Sequence, residues 1–333
     1  MSFFSFLSPT LLPQVRVYHS YGDEDRCMVL GHVLEEAPNW EVNRFKGGSF
    51  WRNAGAMLRL FQVRSQERTS LTIQFMDQQF SGTTDEQGFF SIDLPGFGQQ
   101  VNAGWYPIQV TALSGKARAA VGEGKVYHPP QARQGFISDI DDTFLVSHSA
   151  NILRKMRTLL TKTPETRRPF EGVVAHYQAL ALHNATAETP NPFFYVSSSE
   201  WNLYYYIKDF CRYHGLPEGV FLLSDLKALK DFVHTGAKNH QTKYDRIARI
   251  LEEYPDTRFA LLGDDTQEDP NIYHRIVVTH PGQINAVYVR KLNKDNREKA
   301  RAHLQAIGQL GVPVSYFQHS EEALRHSREI GLA

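Results

Sequence analysis

Gly135-Phe-Ile-Ser-Asp-Ile-Asp-Asp-Thr143 is an apolar run that stops abruptly in three carboxylates and a hydroxyl. Its first half has the composition of a buried strand. Asp139 and Asp141 are separated by one residue, so a continuing strand would send both side chains to one side, whereas a bend after Asp139 would let them take different roles. Two readings compete for the stretch: a strand delivering acid to a cleft, and an acidic turn that caps the following helix.

Working downstream, apolar runs alternate with helical patterns. The runs cover residues 136–140, 193–197, 221–223, 259–263 and 286–289, and helices are expected near 151–160, 172–182, 203–213, 243–254 and 269–278. This alternation predicts an α/β unit, a parallel sheet covered on both faces. Ligands of such sheets sit beyond the carboxyl ends of the strands.

The polar residues at those ends form an ordered set. Asp139, Asp141 and Thr143 come first. Phe193-Phe-Tyr-Val-Ser-Ser-Ser199 ends in hydroxyls before a helix, where a side-chain oxygen such as that of Ser197 and open backbone N–H groups could hold a phosphoryl group; capping by Ser198 or Ser199 is the competing reading. Lys243 opens the expected helix Lys243–Tyr254. A lysine there opposes the macrodipole, which hints at a ligand, although most lone lysines are solvated. Phe259-Ala-Leu-Leu-Gly-Asp-Asp-Thr-Gln-Glu-Asp-Pro270 is a second strand that stops in carboxylates, Asp264 and Asp269.

Upstream the pattern changes to period two: Val15 and Val17, Met28 to Leu34, Leu71, Ile73 and Phe75, Phe89 to Leu94, Ile108 and Val110. Turn signals at Gly22-Asp23, Gly47-Gly48, Asp85 to Gly88 and Pro95-Gly96 predict an antiparallel meander, folded as an all-β sandwich with one helical connection at Trp51 to Val63. The proline-containing Tyr127 to Arg133 marks the boundary, giving residues 1–130 as the sandwich with its linker and 131–333 as the catalytic domain.

Composition narrows the partners. Lys plus Arg and Asp plus Glu balance at 36 each, so no global field attracts nucleic acid. The fourteen histidines form no metal-binding pair, which speaks against zinc. Two cysteines without redox spacing, the lack of a basic secretory leader and of an apolar run near the ~20 residues that span a bilayer lead to the expectation of a cytoplasmic chain. Peripheral contact with a membrane stays open through Arg154, Lys155, Arg157, Lys162, Arg167 and Arg168, opposed only by Glu165. That insert reads either as a solvated amphipathic helix or as a cap or membrane-facing lid. The run Lys291 to Arg301 reads as the solvated side of a late helix.

The four strand-end motifs, in this order, resemble the haloacid dehalogenase-like phosphohydrolases. Ser138 to Thr143, Phe194 to Ser199, Trp201-Asn-Leu203, Gly215 to Gly219 and Leu262 to Tyr273 are similar to the actin-patch-associated phosphatidate phosphatase family, including its bacterial members. Glu200 departs from it where proline is expected, and Asp265-Thr266 where Ser-Gly is common. The resemblance implies a haloacid dehalogenase-like, Rossmannoid three-layer catalytic domain and a Mg2+-dependent phosphomonoesterase working through an aspartyl-phosphate. Asp139 would be the nucleophile and Asp141 the acid/base. Thr143, Ser197 and Lys243 would complete the catalytic set, with Lys238 as the alternative lysine. Asp139, Asp141 through its carbonyl, Asp264 and Asp269 would hold the metal. Phosphatidate in an anionic membrane surface is the implied substrate; a soluble phosphoester, or a non-catalytic module that binds metal and docks a protein through the sandwich, are the alternatives.

Overall fold

A computed structural model of the chain describes residues 12–37, 64–98, 101–113, 119–129, 134–140, 168–224 and 238–333. Asp141, Thr143, the expected helices at 151–160 and 51–63, the Gly47-Gly48 turn and the basic insert as far as Arg167 lie outside these residues, as do residues 130–133 of the linker. The chain divides into two compact units, Met1–Val101 with Trp105–His128, and Asn102–Gly104 with Pro129–Ala333.

The strands of the first unit are β1 (Leu12–Val17), β2 (Ser20–Gly22), β3 (Arg26–Ala37), β4 (Arg64–Ser65), β5 (Ser70–Phe75), β6 (Gln78–Thr83), β7 (Phe89–Pro95), β8 (Gly104–Leu113) and β9 (Ala119–His128). Period-two burial is clear in β5, where Leu71, Ile73 and Phe75 are buried and Ser70 and Gln74 face solvent. Those apolar faces join Val29, Val33, Phe90, Val110 and Val126 in one core. The turns obey the chemistry of their residues. The Asp85 carboxylate accepts the N–H groups of Gln87 and Phe89 at 2.7 and 2.9 Å. Gly88 supplies the left-handed φ of 73° that closes this turn, where a Cβ would lie 2.7 Å from the Val33 carbonyl.

The expected meander forms only in part, in the antiparallel pairs β2–β3 and β5–β6. The main path runs β1-β3-β2-β9-β8-β5-β6, and β2 pairs β9 in parallel. The reason is the length of β3, twelve residues. One of its edges takes β7 and then β4, and the other takes β2 and then β1, so β1 and β2 share an edge of β3 instead of pairing with one another.

The described part of the second unit holds a six-stranded parallel sheet, in the order β12-β11-β10-β13-β14-β15. Its strands are β10 (Gln134–Ser138), β11 (Phe193–Glu200), β12 (Val220–Ser224), β13 (Arg258–Asp264), β14 (Ile284–Arg290) and β15 (Val314–Phe317). The helices are α1 (Val173–Leu182), α2 (Tyr204–His214), α3 (Lys238–Glu253), α4 (Asp269–Thr279), α5 (Arg297–Gln309) and α6 (Ser320–Glu329). Continuous burial from Phe259 to Asp264 is the mark of a central parallel strand with both faces covered. β15 and α6 carry too little apolar length to stand out in the sequence.

Strand order decides where a ligand can sit. From β10 the chain moves outward through β11 and β12, then returns to place β13 on the other edge of β10 before moving on to β14 and β15. The order reverses between β10 and β13. At such a reversal the connections leave in opposite directions and open a crevice at the carboxyl ends of the strands. Asp139 directly follows β10, and Asp264 ends β13.

Candidate active site

The two strands at the reversal deliver two of three clustered carboxylates, and α4 delivers the third. Carboxylate oxygens of Asp139, Asp264 and Asp269 all lie within 4.8 Å of one another. The Asp139 N–H donates to the Leu262 carbonyl at 2.8 Å, continuing the β10–β13 ladder by one residue and fixing where its side chain leaves the backbone. Asp269 is the first residue of α4, where Pro270, the second, leaves no helical hydrogen bond missing and a carboxylate is favoured by the helix dipole. Its second oxygen accepts the Asp264 N–H at 3.3 Å.

Lys243 lies among these acids. Its ammonium donates to Asp139 Oδ1 at 2.9 Å and to Asp269 Oδ1. Asp139, Lys243, Asp264 and Asp269 are 2, 2, 0 and 1 % exposed, so their interaction is barely screened by water. Burial alone would lower the lysine pKa, but the Asp139 and Asp269 carboxylates outweigh it and raise it above the ordinary value, keeping the ammonium charged. Asp264 goes the other way. Burial first, then the charges of Asp269 and Asp139, push its carboxyl well above the usual range, against the Thr266 N–H that it accepts at 2.5 Å.

Three buried carboxylates lie together in a low-dielectric place, and the Lys243 ammonium contacts two of them, Asp139 and Asp269. Buried charge of this size is stable only when neutralised by protons or by a cation. The donor set is entirely oxygen, which suits a hard divalent ion.

Lys243 differs in placement from the sequence expectation. α3 begins at Lys238, so Lys243 lies in its second turn and Lys238 is the first helical residue. The polar stretch Asn239-His-Gln-Thr242 hides the helical pattern, which becomes apolar only at Ile247. Lys243 instead shares the buried stripe of Ile247, Ile250 and Leu251. A lysine four residues before an apolar stripe, in phase with it, is the signal that marks a buried cation. The side chain of Lys238 lies outside the described residues.

Ser197 is fully buried on β11, which continues to Glu200 with a register shift against β12 after Val196. Its hydroxyl accepts the Ser199 N–H at 2.9 Å. Neither Ser198 nor Ser199 caps a helix, because Glu200 precedes the short 3-10 turn Trp201–Leu203 and has no side-chain capping bond. Arg246, one turn beyond Lys243, donates to the Ser197 carbonyl at 3.3 Å and so ties α3 to the end of β11.

Asp265 is a contributor that the sequence reading treated only as a departure. Its side chain is fully buried, accepts the N–H groups of Leu292 and Asn293 at 2.7 Å each, and accepts the Tyr316 hydroxyl at 2.7 Å. It thereby pins the loop after β14 beside Asp264. The charge run Lys291 to Arg301 is accordingly split, with its first half in that loop and α5 beginning at Arg297.

Gly263 permits the cluster to close. A Cβ there would come within 2.3 Å of Asp269 Oδ2 and 2.6 Å of the Tyr273 hydroxyl. Gly263→Ala is expected to destabilise the fold by about 1–3 kcal/mol, as overpacking does, and to displace Asp269. Denaturant titration checks it; an unchanged midpoint contradicts this crowding.

Residues 134–291 match the family model described as the catalytic domain of phosphatidate phosphatase APP1. The phosphatidate phosphatase APP1 of Saccharomyces cerevisiae is 29% identical over 156 residues, covering 47% of this chain and 25% of that protein. An uncharacterized protein of Schizosaccharomyces pombe is 23% identical over 224 residues, covering 65% of this chain and 35% of that one. The chain thus spans well under half the length of either relative. Among solved structures, a carbohydrate acetylesterase from Xanthomonas citri covers 96% of this chain and 75% of its own at 9% identity, with a TM-score of 0.33, too low to carry an argument.

Proposed function

We propose, on the premise that residues 134–291 belong to the family of the phosphatidate phosphatase APP1 catalytic domain, that this chain is a Mg2+-dependent phosphomonoesterase working through an aspartyl-phosphate. The observation that carries the proposal is the buried cluster of Asp139, Asp264 and Asp269 around Lys243, at the reversal of strand order. In the same reading the parallel-sheet unit is a haloacid dehalogenase-like domain and the first unit a β-sandwich accessory domain, with the boundary near residue 130. Phosphatidate is the substrate that the family name suggests. The enzyme would then work at the surface of an anionic membrane from the cytoplasm. No helix among the described residues is long and apolar enough to cross a bilayer.

Asp139 attacks phosphorus in line with the leaving oxygen, so that the Asp139–phosphorus bond forms as the ester bond breaks. Asp141, assigned from the sequence alone, gives its proton to the leaving alkoxide and takes one from the water that hydrolyses the acyl phosphate. Lys243 and Ser197 offset the charge of the transferring group and orient it, with Thr143 assigned to the same set from the sequence. Mg2+ held by Asp139, Asp264 and Asp269, with the Asp141 carbonyl, would supply charge neutralisation between nucleophile and phosphate.

Asp264→Asn is expected to raise the Mg2+ concentration needed for half-maximal activity by on the order of tenfold or more. In the unsubstituted protein that requirement should also rise as pH falls, because the raised pKa of Asp264 means that the ion competes with a proton. A Mg2+ requirement unchanged by the substitution removes Asp264 from the metal site. Phosphate release from phosphatidate vesicles, beside a panel of soluble phosphoesters, with Mg2+ and with chelator, tests the function as a whole. Turnover of the vesicles in Mg2+ alone supports it; soluble esters only would move the substrate, and no turnover of either would end the proposal.

A further inference from the structure

The backbone of Asp139 is held from both sides, and each hold leads to a buried tyrosine hydroxyl. On the carbonyl side, the Ser138 hydroxyl donates to the Asp139 carbonyl at 2.6 Å and lies 2.8 Å from the Tyr177 hydroxyl. Ser138 has one hydroxyl proton and spends it on the carbonyl, so the Tyr177 proton must go to Ser138 Oγ. On the amide side, the Asp139 N–H and the Tyr273 hydroxyl both donate to the Leu262 carbonyl, each at 2.8 Å.

Both tyrosines are themselves fixed. Tyr177 and Tyr273 are 2 and 0 % exposed. Burial is the first cause that raises the pKa of each, so both keep the proton that they donate. Beside Tyr177 on α1, His176 Nε2 lies 2.8 Å from the Ser327 hydroxyl, which in turn donates to Tyr288, so α1 cannot rotate without breaking a second buried network. Tyr273 stands one turn after Asp269 on α4 and shares that helix's anchoring to the acid cluster.

We infer that Tyr177, acting through Ser138, and Tyr273, acting through the Leu262 carbonyl, are positioning residues that set the backbone of Asp139 and hence the line of its carboxylate. The inference rests on the proposed role of Asp139 as nucleophile. Neither hydroxyl needs to touch substrate. An attacking oxygen must be held to within a fraction of an ångström, and a side chain can be no better placed than the peptide that carries it.

The test uses the full chain with saturating Mg2+ and p-nitrophenyl phosphate. Tyr177→Phe and Tyr273→Phe each remove one oxygen and leave the ring. Each is expected to lower kcat about tenfold, as loss of an orienting partner does, with KM within about twofold. Ser138→Ala combined with Tyr177→Phe should lose no more than Ser138→Ala alone, because the two act in series. An unchanged kcat, with or without a lower Tm, overturns the inference by making the tyrosines packing residues; so does a loss confined to KM, or additive losses in the double variant. Should Tyr273→Phe fail to fold, Tyr177→Phe decides. If the unsubstituted protein hydrolyses no phosphoester, the proposed function has failed separately, and Mn2+ binding followed by paramagnetic resonance then decides: about tenfold weaker binding in the Phe variants supports the positioning, and equal binding overturns it.

Discussion

Asp139→Asn is expected to reduce phosphoester turnover by on the order of 10,000-fold or more, the scale seen when a nucleophile is removed from a working set. The substitution keeps the shape of the side chain and an oxygen that can still accept from Lys243, at 2.9 Å in the unsubstituted protein. What it removes is the charge and, in the proposed mechanism, the attacking oxygen. The amide nitrogen is no nucleophile, and of the two described residues that follow β10, Asp139 and Ile140, only Asp139 carries one. Folding should suffer little, since one of three mutually repelling buried acids has become neutral. Steady-state rates with circular dichroism melts check both halves, and near-wild-type turnover would remove Asp139 from the role.

Lys243→Met should be the second large effect, and it should show in stability as well as in rate. Methionine fills nearly the same volume on the buried stripe of α3 but leaves Asp139 and Asp269 without their ammonium. Breaking a buried pair by removing one partner costs about 3–5 kcal/mol, because the remaining charge has no compensation. The loss should be largest in metal-free protein at neutral pH. It should shrink when a divalent cation is added. Activity should fall by several orders of magnitude at any Mg2+ concentration, since in the proposed mechanism the ammonium also offsets the charge of the transferring group. Denaturant melts with chelator and with Mg2+ give the comparison; a variant as stable as the parent in chelator contradicts the burial of uncompensated charge.

The parts of this architecture that were legible in the sequence are those set by local pattern. Runs such as Phe259 to Gly263 announce a buried parallel strand, and the carboxylates that end two such runs point to one crevice. The order in which strands pair is not local. Nothing between residues 26 and 37 says that β3 will serve four partners, so a meander was the natural expectation and a hub formed instead. Lys243 was identified as a candidate but placed at the start of its helix, because four polar residues conceal the first turn. Asp265, Tyr177 and Tyr273 were missed as supports of the site for a different reason. Their partners are 11 to 51 residues away in sequence or reached through a second side chain, so no spacing could reveal them. Tyrosines in apolar stretches read as core, and these are core; only the fold shows that the Tyr177 hydroxyl meets Ser138 Oγ and the Tyr273 hydroxyl the Leu262 carbonyl, both beside Asp139.

The central claim is that Asp139 carries the phosphoryl group during turnover. Acid-quenched turnover of a soluble phosphoester, followed by borohydride reduction and mass spectrometry of the peptide spanning residues 134–140, reads that step directly, because an acyl phosphate is reduced where a free carboxylate is not. The account predicts reduction at Asp139, dependent on both substrate and Mg2+ and missing in the Lys243→Met protein. Phosphate release that proceeds with Asp139 unmodified, or with the label on another residue, would contradict it.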